Sequence, residues 1–579
     1  MPFLSDIKAQ IARQINEHLG GEYAAPSDFV RPDNPDFGDL SLGCFGLARR
    51  LGRPPVDLAA ALASDWPAES PVASGQAVGP YVNFQLSTVE MAAGVLEEIY
   101  TQKDLYGENV REGGRRVVVE YSNVNTHKDY HIGHLRNLAY GDAVQRILTA
   151  AGDTVFPVSY VNDFGGHTAK TLWGLRLFAQ GPGPAVDKGY WLGQVYARAA
   201  AAAKEDPAAP AAISRLMKEI ESRQGESYKQ WQKTRQWSID GFTAIYQELG
   251  VNFAQIFYES EFFGIGKALV ARLLAAGQLQ ESAGAVIADL GGDGLGVLVF
   301  IRSDGTALYP VSDLPLALEK RKLFQPDKSF LVVDERQSLY FRQLNRLLAA
   351  LGEEQAAITH LPYAVVKLPE GMMSSRSGNV ISYHDLRNQV LEKAKTETSA
   401  RHPDWPAEKI DNISWALAKG ALKFEMVKVG AGQVITFDSR QALRFDGFTA
   451  AYLQYTCARI RSVLRKAAGE EIAQEYCQRP DELSPGWPGN LREVREHRLL
   501  FSLASYPETV QAAAQACDPS LLAKQIFALA KDFNDYYHAI PVLKAETAVR
   551  EARLRLLGAV RQVIGNGLGL LGIDGLDEM

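Results

Sequence analysis

Cysteine is scarce in this sequence and never grouped. Cys44, Cys457, Cys477 and Cys517 lie far apart without CxxC spacing, which argues against a disulfide framework and against a thiolate zinc site. Long apolar runs are missing too: no stretch is a charge-free segment able to span a bilayer. The opening MPFLSDIKAQIARQINEHLG alternates apolar and charged residues at helical spacing, without the apolar centre of a secretory leader. A cytoplasmic location is expected. There is no excess of basic charge either. The net charge of -7 gives no global attraction for nucleic acid, but a local basic face suffices to neutralise phosphates, so an RNA partner stays open. No internal repeat or extended low-complexity tract is found. What is present is an ordinary globular mixture, 46% hydrophobic and 22% charged, spread over 579 residues. That length exceeds what one core supports, so three or more units are expected, one of them dominant.

Patterning along the chain divides it. Residues 1–95 open with helical periodicity and close with the alternating YVNFQLS at Tyr81 to Ser87, which reads as a small α/β domain. After a polar stretch comes VVVEYS, an apolar β-branched run expected to be a buried strand of a parallel sheet. Further strands are expected at TVFPVSYV, AVIADL, GVLVFI, KSFLVV and YAVVKL, the pattern of a doubly wound, Rossmann-like α/β sheet over residues 110–410. An Ala-, Lys- and Glu-rich segment of helical spacing at about 176–250 reads as a helical insertion, and residues 411–579 as an all-α bundle. Arg459, Arg461, Arg465 and Lys466 form a basic cluster there, a pattern shared by any solvated helix face.

Two motifs carry chemistry. In NVNTHKDYHIGHLRNLAYGDAVQRIL, His131 and His134 stand three apart at a helix start directly after a buried strand, so both imidazoles can face one side. Free N–H groups and the helix dipole favour phosphate at such a position, and Gly133 leaves room for a nucleotide. The natural reading is an ATP site. Alone, the spacing reads equally as packing or, with His127, as part of a metal site, although no HExxH or cysteine companion supports the latter. The second motif, KLPEGMMSSRSGNVISYHDL, interrupts strand YAVVKL with small and polar residues. The hydroxyls of Ser374, Ser375 and Ser377 and the cation of Arg376 are suited to closing over phosphates; alone, this is an ordinary loop.

In this order the two motifs resemble the HIGH and KMSKS signatures of the class I aminoacyl-tRNA synthetases, and the surrounding text resembles the arginyl-tRNA synthetases. EYSNVNTHKDYHIGHLRN, YVNDFGGH, SDGTALYPVSD and VVDERQSLYFRQL each match a segment of that family. The likeness extends to GDLSLGCFGLARRLG near the N-terminus and to AAYLQYTCARIRSVLRKA and FNDYYHAIPVLKAE near the C-terminus. It implies ATP-dependent ligation of L-arginine to tRNA(Arg) through an arginyl-adenylate, with Mg²⁺ on the nucleotide. It also implies tRNA contact by residues 1–95, including Phe37 to Leu40 and Arg49 to Arg53, anticodon binding by 411–579, and a monomer whose arginine activation waits for tRNA. Among the aromatics of the bundle, Tyr452, Tyr455, Tyr536 and Tyr537 are candidates to meet bases, though aromatics at helical spacing are more often core.

By the same resemblance, Glu120, Asn125, Tyr309, Asp313 and Gln337 recognise arginine. The chemistry agrees, because a buried guanidinium needs carboxylates that accept paired hydrogen bonds. His131, Gly133, His134, Met373, Ser374, Ser375 and Arg376 would bind ATP, with His131, His134 and Lys128 serving catalysis. No protein nucleophile is implied; positioning and electrostatics carry the reaction. The chain departs from the family in two ways. Met372, Met373, Ser374 and Ser375 stand where KMSK is frequent, so the second lysine is absent, and Lys128, shortly before HIGH, is expected to supply the missing charge. Asp129 replaces a frequent proline, and YPVSD removes an arginine next to Asp313. The competing readings are a non-catalytic tRNA-binding relative, a nucleotidyltransferase acting on a small metabolite, and a metal-dependent hydrolase built on His127, His131 and His134.

Overall fold

Val117, Val118 and Val119 are wholly buried, as a β-branched run covered on both faces must be. They form the centre of strand β1, Arg116–Glu120. In the computed structural model, which describes residues 2–64, 66, 71–109, 113–179, 183–369, 381–475 and 486–579, β1 is the middle of a five-stranded sheet. The others are β2 (Thr154–Val161), β3 (Gln255–Tyr258), β4 (Lys328–Asp334) and β5 (Ile358–Tyr363). The spatial order is β5-β4-β1-β2-β3, with every neighbouring pair parallel. The chain runs outward from β1 in one direction, then crosses to β4 and runs outward in the other. Such a reversal leaves a crevice at the carboxyl ends of the two strands flanking it, and ligands bind there in open α/β sheets. Glu120 ends β1 and Asp334 ends β4.

Three strand expectations are corrected. AVIADL and GVLVFI do not join the parallel sheet; as Ala285–Leu290 and Gly296–Ile301 they pair antiparallel in a separate three-stranded sheet with Gln280–Ser282. Only the turn around Gly291–Asp293 joins them, too short for the crossover that parallel pairing needs. Of YAVVKL, Tyr363 ends β5 and only Val366–Lys367 is a further strand, which pairs with Ile435–Thr436. The short β3 went unread because Ile256, Phe257 and Tyr258 make an apolar run of only three residues without alternation, too brief to signal a strand.

Between β2 and β3 lie four helices, Gly166–Phe178, Lys188–Glu205, Ala209–Glu221 and Gly225–Leu249, with a core that includes Leu172, Trp173, Leu216 and Trp231. The N-terminal part is a four-stranded antiparallel sheet with helices that include Phe3–Leu19 and Pro55–Ser64. The described C-terminal part is helical from Ala407–Val427 through Thr547–Leu570 except for the short strand Ile435–Thr436, which corrects the all-α expectation for 411–579. Asp142, on helix α1 (Ile132–Ala150), and Lys423, on Ala407–Val427, form an ion pair of 2.8 Å with both side chains 1% exposed, so a buried charge pair joins the sheet's first helix to the helical part. Among the described residues, no helix is long and apolar enough to cross a membrane.

Candidate active site

The chain leaves β1 through a loop in which Ser122 and His127 take positive φ, then enters α1 with His131 as its extended N-cap. His131 Nδ1 accepts from the Gly133 N–H at 3.1 Å, and His134 Nδ1 accepts from the His131 N–H at 3.2 Å. The two rings stack with centroids 3.7 Å apart. Each side chain thus caps a backbone donor at the helix start, and because Nδ1 accepts, each ring carries its proton on Nε2. Gly133 is required by this pair itself: a Cβ there would lie 2.9 Å from His131 Cε1. Burial, with the nearby Lys128 charge, pushes His131 down to about 4, and burial together with the charges of His131 and Lys128 holds His134 well below the ordinary imidazole range. Both are neutral Nε2–H donors at pH 7. His127 does not join them, since its Nδ1 lies 2.9 Å from Thr126 Oγ1 and its Nε2 2.7 Å from Thr234 Oγ1, which engages both ring nitrogens.

One cavity of about 830 Å³ at the β1/β4 crevice is lined by His131, Gly133 and His134 together with Glu120, Asn125, Tyr309, Asp313 and Gln337. Residues scattered over more than two hundred positions of sequence therefore face a single space. Glu120 is buried; its Oε1 accepts from Asn123 Nδ2 at 2.8 Å, and its Oε2 pairs with Lys320 Nζ at 2.5 Å. Asp313 sits in the first turn of helix Pro310–Phe324, opened by a proline at N1, and accepts from the Tyr340 hydroxyl at 2.5 Å. Burial pushes Asp313 up to about 7; the Tyr340 bond opposes this and the Glu120 charge adds to it. Tyr309 is 68% exposed at the mouth, and Gln337, also exposed, ends the short turn after β4. Asn125 bridges to Asn162 beyond the end of β2.

Lys128 lies apart. It lines a neighbouring cavity of about 810 Å³ with Asp129, Trp237 and Tyr383, its Nζ 5.3 Å from the centroid of the Tyr196 ring. Its charge still reaches the histidines, for it contributes to the depressed values of His131, His134 and His167. Asp129, packed so closely that a Cβ on Gly193 would come 2.7 Å from its backbone nitrogen, is pushed up to about 7 by burial and by Asp385. Met373, Ser374, Ser375 and Arg376 lie outside the described residues. The chain that follows returns to the histidine pair, where Ser382 bridges His131.

Sequence reasoning missed four residues here. Lys320 lies seven positions after Asp313, two turns along the same helix face, a spacing that could have revealed it. Arg336 lines the cavity and is held bidentate by Asp334 at 2.7 and 2.8 Å. Tyr340 and Glu259 have no local signal; Glu259, pushed up to about 8 by burial, accepts from Asn162 Nδ2 at 3.2 Å. Of the bundle tyrosines, Tyr536 is core and reaches Glu496, while Tyr455 is 37% exposed. In the basic cluster, Arg459 bonds Asn534 at 3.0 Å and lies over the Tyr537 ring, and Arg465 pairs with Glu578.

Comparison with known proteins gives consistent matches along the chain. Residues 95–431 match the family described as tRNA synthetases class I (R), catalytic domain; residues 453–579 match the DALR anticodon binding domain; residues 5–86 match the arginyl tRNA synthetase N terminal domain. An arginine–tRNA ligase of Bdellovibrio bacteriovorus is 35% identical over 99% of this chain and 98% of its own length. One from Treponema denticola is 31% identical, with both chains covered in full. Among solved structures, the Thermus thermophilus arginyl-tRNA synthetase superposes with a TM-score of 0.80 at 26% identity, covering 100% of this chain and 99% of that one.

Proposed function

The chain belongs to the class I arginyl-tRNA synthetases, and from that premise we propose how the cavity at the β1/β4 crevice performs the ligation of arginine to tRNA. The enzyme is an arginine–tRNA ligase that uses ATP and releases AMP and pyrophosphate. The observation that carries the site assignment is that one cavity is lined both by the carboxylates of Glu120 and Asp313 and by the stacked histidine pair.

Arginine enters with its guanidinium toward Asp313 and Glu120, where carboxylate acceptors match its planar fork. Asn125, Tyr309 and Gln337 line the same space and hold the rest of the amino acid. ATP lies over the start of α1, and the Nε2–H groups of His131 and His134 meet its phosphates as neutral donors. An arginine carboxylate oxygen attacks the α-phosphorus, forming a P–O bond while the bond to pyrophosphate breaks. The terminal ribose hydroxyl of tRNA then attacks the carbonyl carbon of the adenylate, and AMP leaves. Positioning in a preorganised field is the protein's contribution to both steps.

Mg²⁺ on the nucleotide would neutralise charge on its phosphates. Lys128, whose charge reaches the histidine pair from the neighbouring cavity, and the motif residues Met373, Ser374, Ser375 and Arg376 serve the phosphates in this reading. Residues 1–95 and 411–579 flank the catalytic part, 110–410, as tRNA-contacting units, the latter reading the anticodon, and the enzyme works as a cytoplasmic monomer. The deciding experiment is attachment of labelled arginine to bulk tRNA by the purified chain with ATP and Mg²⁺, beside lysine, glutamate and a His134→Ala control. Arginine-specific charging lost in the control is the expected result; tight tRNA binding without charging of any amino acid would overturn it.

A further inference from the structure

Lys320 lines the cavity with Glu120 and Asp313 and carries a charge of the same sign as the substrate's; Arg336, the other cation among the described lining residues, is held by Asp334. It stands two turns after Asp313 on helix Pro310–Phe324, 4% exposed, and pairs with Glu120, itself 3% exposed, at 2.5 Å. Both line the cavity. Glu120 Oε1 also accepts from Asn123 at 2.8 Å. A carboxylate offers about four acceptor directions, so the chain's own groups hold two of them before any substrate arrives.

We propose that Lys320 is a specificity residue of the arginine pocket, a resident ammonium that excludes substrates ending in an ammonium while leaving Glu120 able to accept a guanidinium. This rests on the reading of the cavity as the arginine site. A substrate lysine ends in a compact, strongly hydrated point charge, and its nitrogen reaches only as far as the central carbon of an arginine's guanidinium. To use Glu120 it must either displace an ammonium already bound there, with no gain in contacts, or remain beside a like charge in a desolvated site. A guanidinium spreads its charge over a plane with donors on two edges. It can take the unused acceptor directions of Glu120 together with Asp313, without evicting Lys320. Discrimination then comes from a repulsive element built into the pocket as well as from attractive contacts. Lys320 also explains how two carboxylates are kept in one buried space, for its charge favours the ionised form of Asp313.

The test compares kcat/KM for attachment of arginine and of lysine to bulk tRNA by the wild type and by Lys320→Met, Lys320→Gln and Lys320→Arg, with thermal melting of each chain. The arginine-over-lysine ratio is expected to fall about ten- to hundred-fold in the Met and Gln variants. Lys320→Arg, which keeps the charge, should retain most of it. If Lys320→Met fails to melt cooperatively, Lys320→Gln decides, since it keeps a donor for Glu120 without the charge. Equal loss for both amino acids, leaving the ratio unchanged, would mark Lys320 as a structural partner of Glu120 and overturn the inference. A wild type that attaches no arginine would instead overturn the reading of the cavity, and this inference with it.

Discussion

The Tyr340 hydroxyl donates to Asp313 Oδ2 at 2.5 Å, so the carboxylate assigned to the substrate's guanidinium is held in place by a residue 27 positions away. Because burial pushes Asp313 up to about 7, its charge appears across neutral pH. The ionised form is the one that binds guanidinium, so KM for arginine should fall as pH rises from 6 to 8. Tyr340→Phe removes a donor that favours ionisation and should move this transition to higher pH, raising KM about ten-fold at pH 7, as loss of a hydrogen bond to a charged group would. Steady-state charging at stepwise pH checks it; an unmoved transition would rule out Asp313 as the titrating group. For stability the sign is opposite. The folded chain keeps a proton that the unfolded chain releases near the ordinary carboxylate value, so this group's stabilising contribution is complete below that value and is lost as pH rises through about 7.

Burial holds His131 and His134 far below the ordinary imidazole range, so in the proposed site they meet phosphate as neutral donors. At saturating arginine, kcat should therefore show no inflection near 6.5 that disappears in a His131 variant. His131→Ala and His134→Ala should each lower kcat about 10²- to 10³-fold, the scale for losing one preorganised donor. An inflection near 6.5 abolished by His131→Asn would show imidazolium chemistry instead.

Lys128 lines the cavity next to the one holding the histidines, yet its charge reaches them. Lys128→Ala should depress adenylate formation far more than arginine binding, because its contribution is to phosphate charge that develops in the reaction. Arginine affinity by calorimetry, set against single-turnover adenylate formation, separates the two. Equal loss of both, or loss of neither, would remove Lys128 from the catalytic set.

Asp142 and Lys423 share a buried ion pair between α1 and helix Ala407–Val427. Lys423→Met leaves the buried Asp142 with Arg146 as its remaining charged partner and should cost about 1.5–3 kcal/mol, the scale of a lost hydrogen bond to a charged group, whereas adding Asp142→Asn should recover part of that loss. Burial pushes Asp142 up, but Lys423 and Arg146 beside it hold the carboxyl below its usual range. The stability it provides is present above the ordinary carboxylate value and is lost as pH falls through the lower, folded one. Denaturant melts of the single and double variants decide this; a double variant no better than the single would show that the pair acts through shape alone.

Much of the architecture was legible because its signals are local. The β-branched Val117–Val119 run favours a covered strand, and the helical periodicity after about residue 410 needs no partner to be read. Ala285–Leu290 and Gly296–Ile301 were misplaced because an apolar strand does not say which sheet it joins; the short connection at Gly291–Asp293 does. At the site, His131, Gly133, His134, Glu120 and Asp313 sit in motifs whose residue types already point to phosphate and guanidinium.

By itself, then, the sequence determined most of the strands and helices and the motifs that point to phosphate and guanidinium, because periodicity and motif spacing act over a few residues. Tertiary structure alone decided what those side chains meet. The order β5-β4-β1-β2-β3 brings Glu120, at the end of one strand, within reach of Lys320, two hundred positions later. Burial at that crevice sets His131 neutral and leaves Asp313 half-charged near pH 7, since the cost of a buried charge depends on everything packed around it.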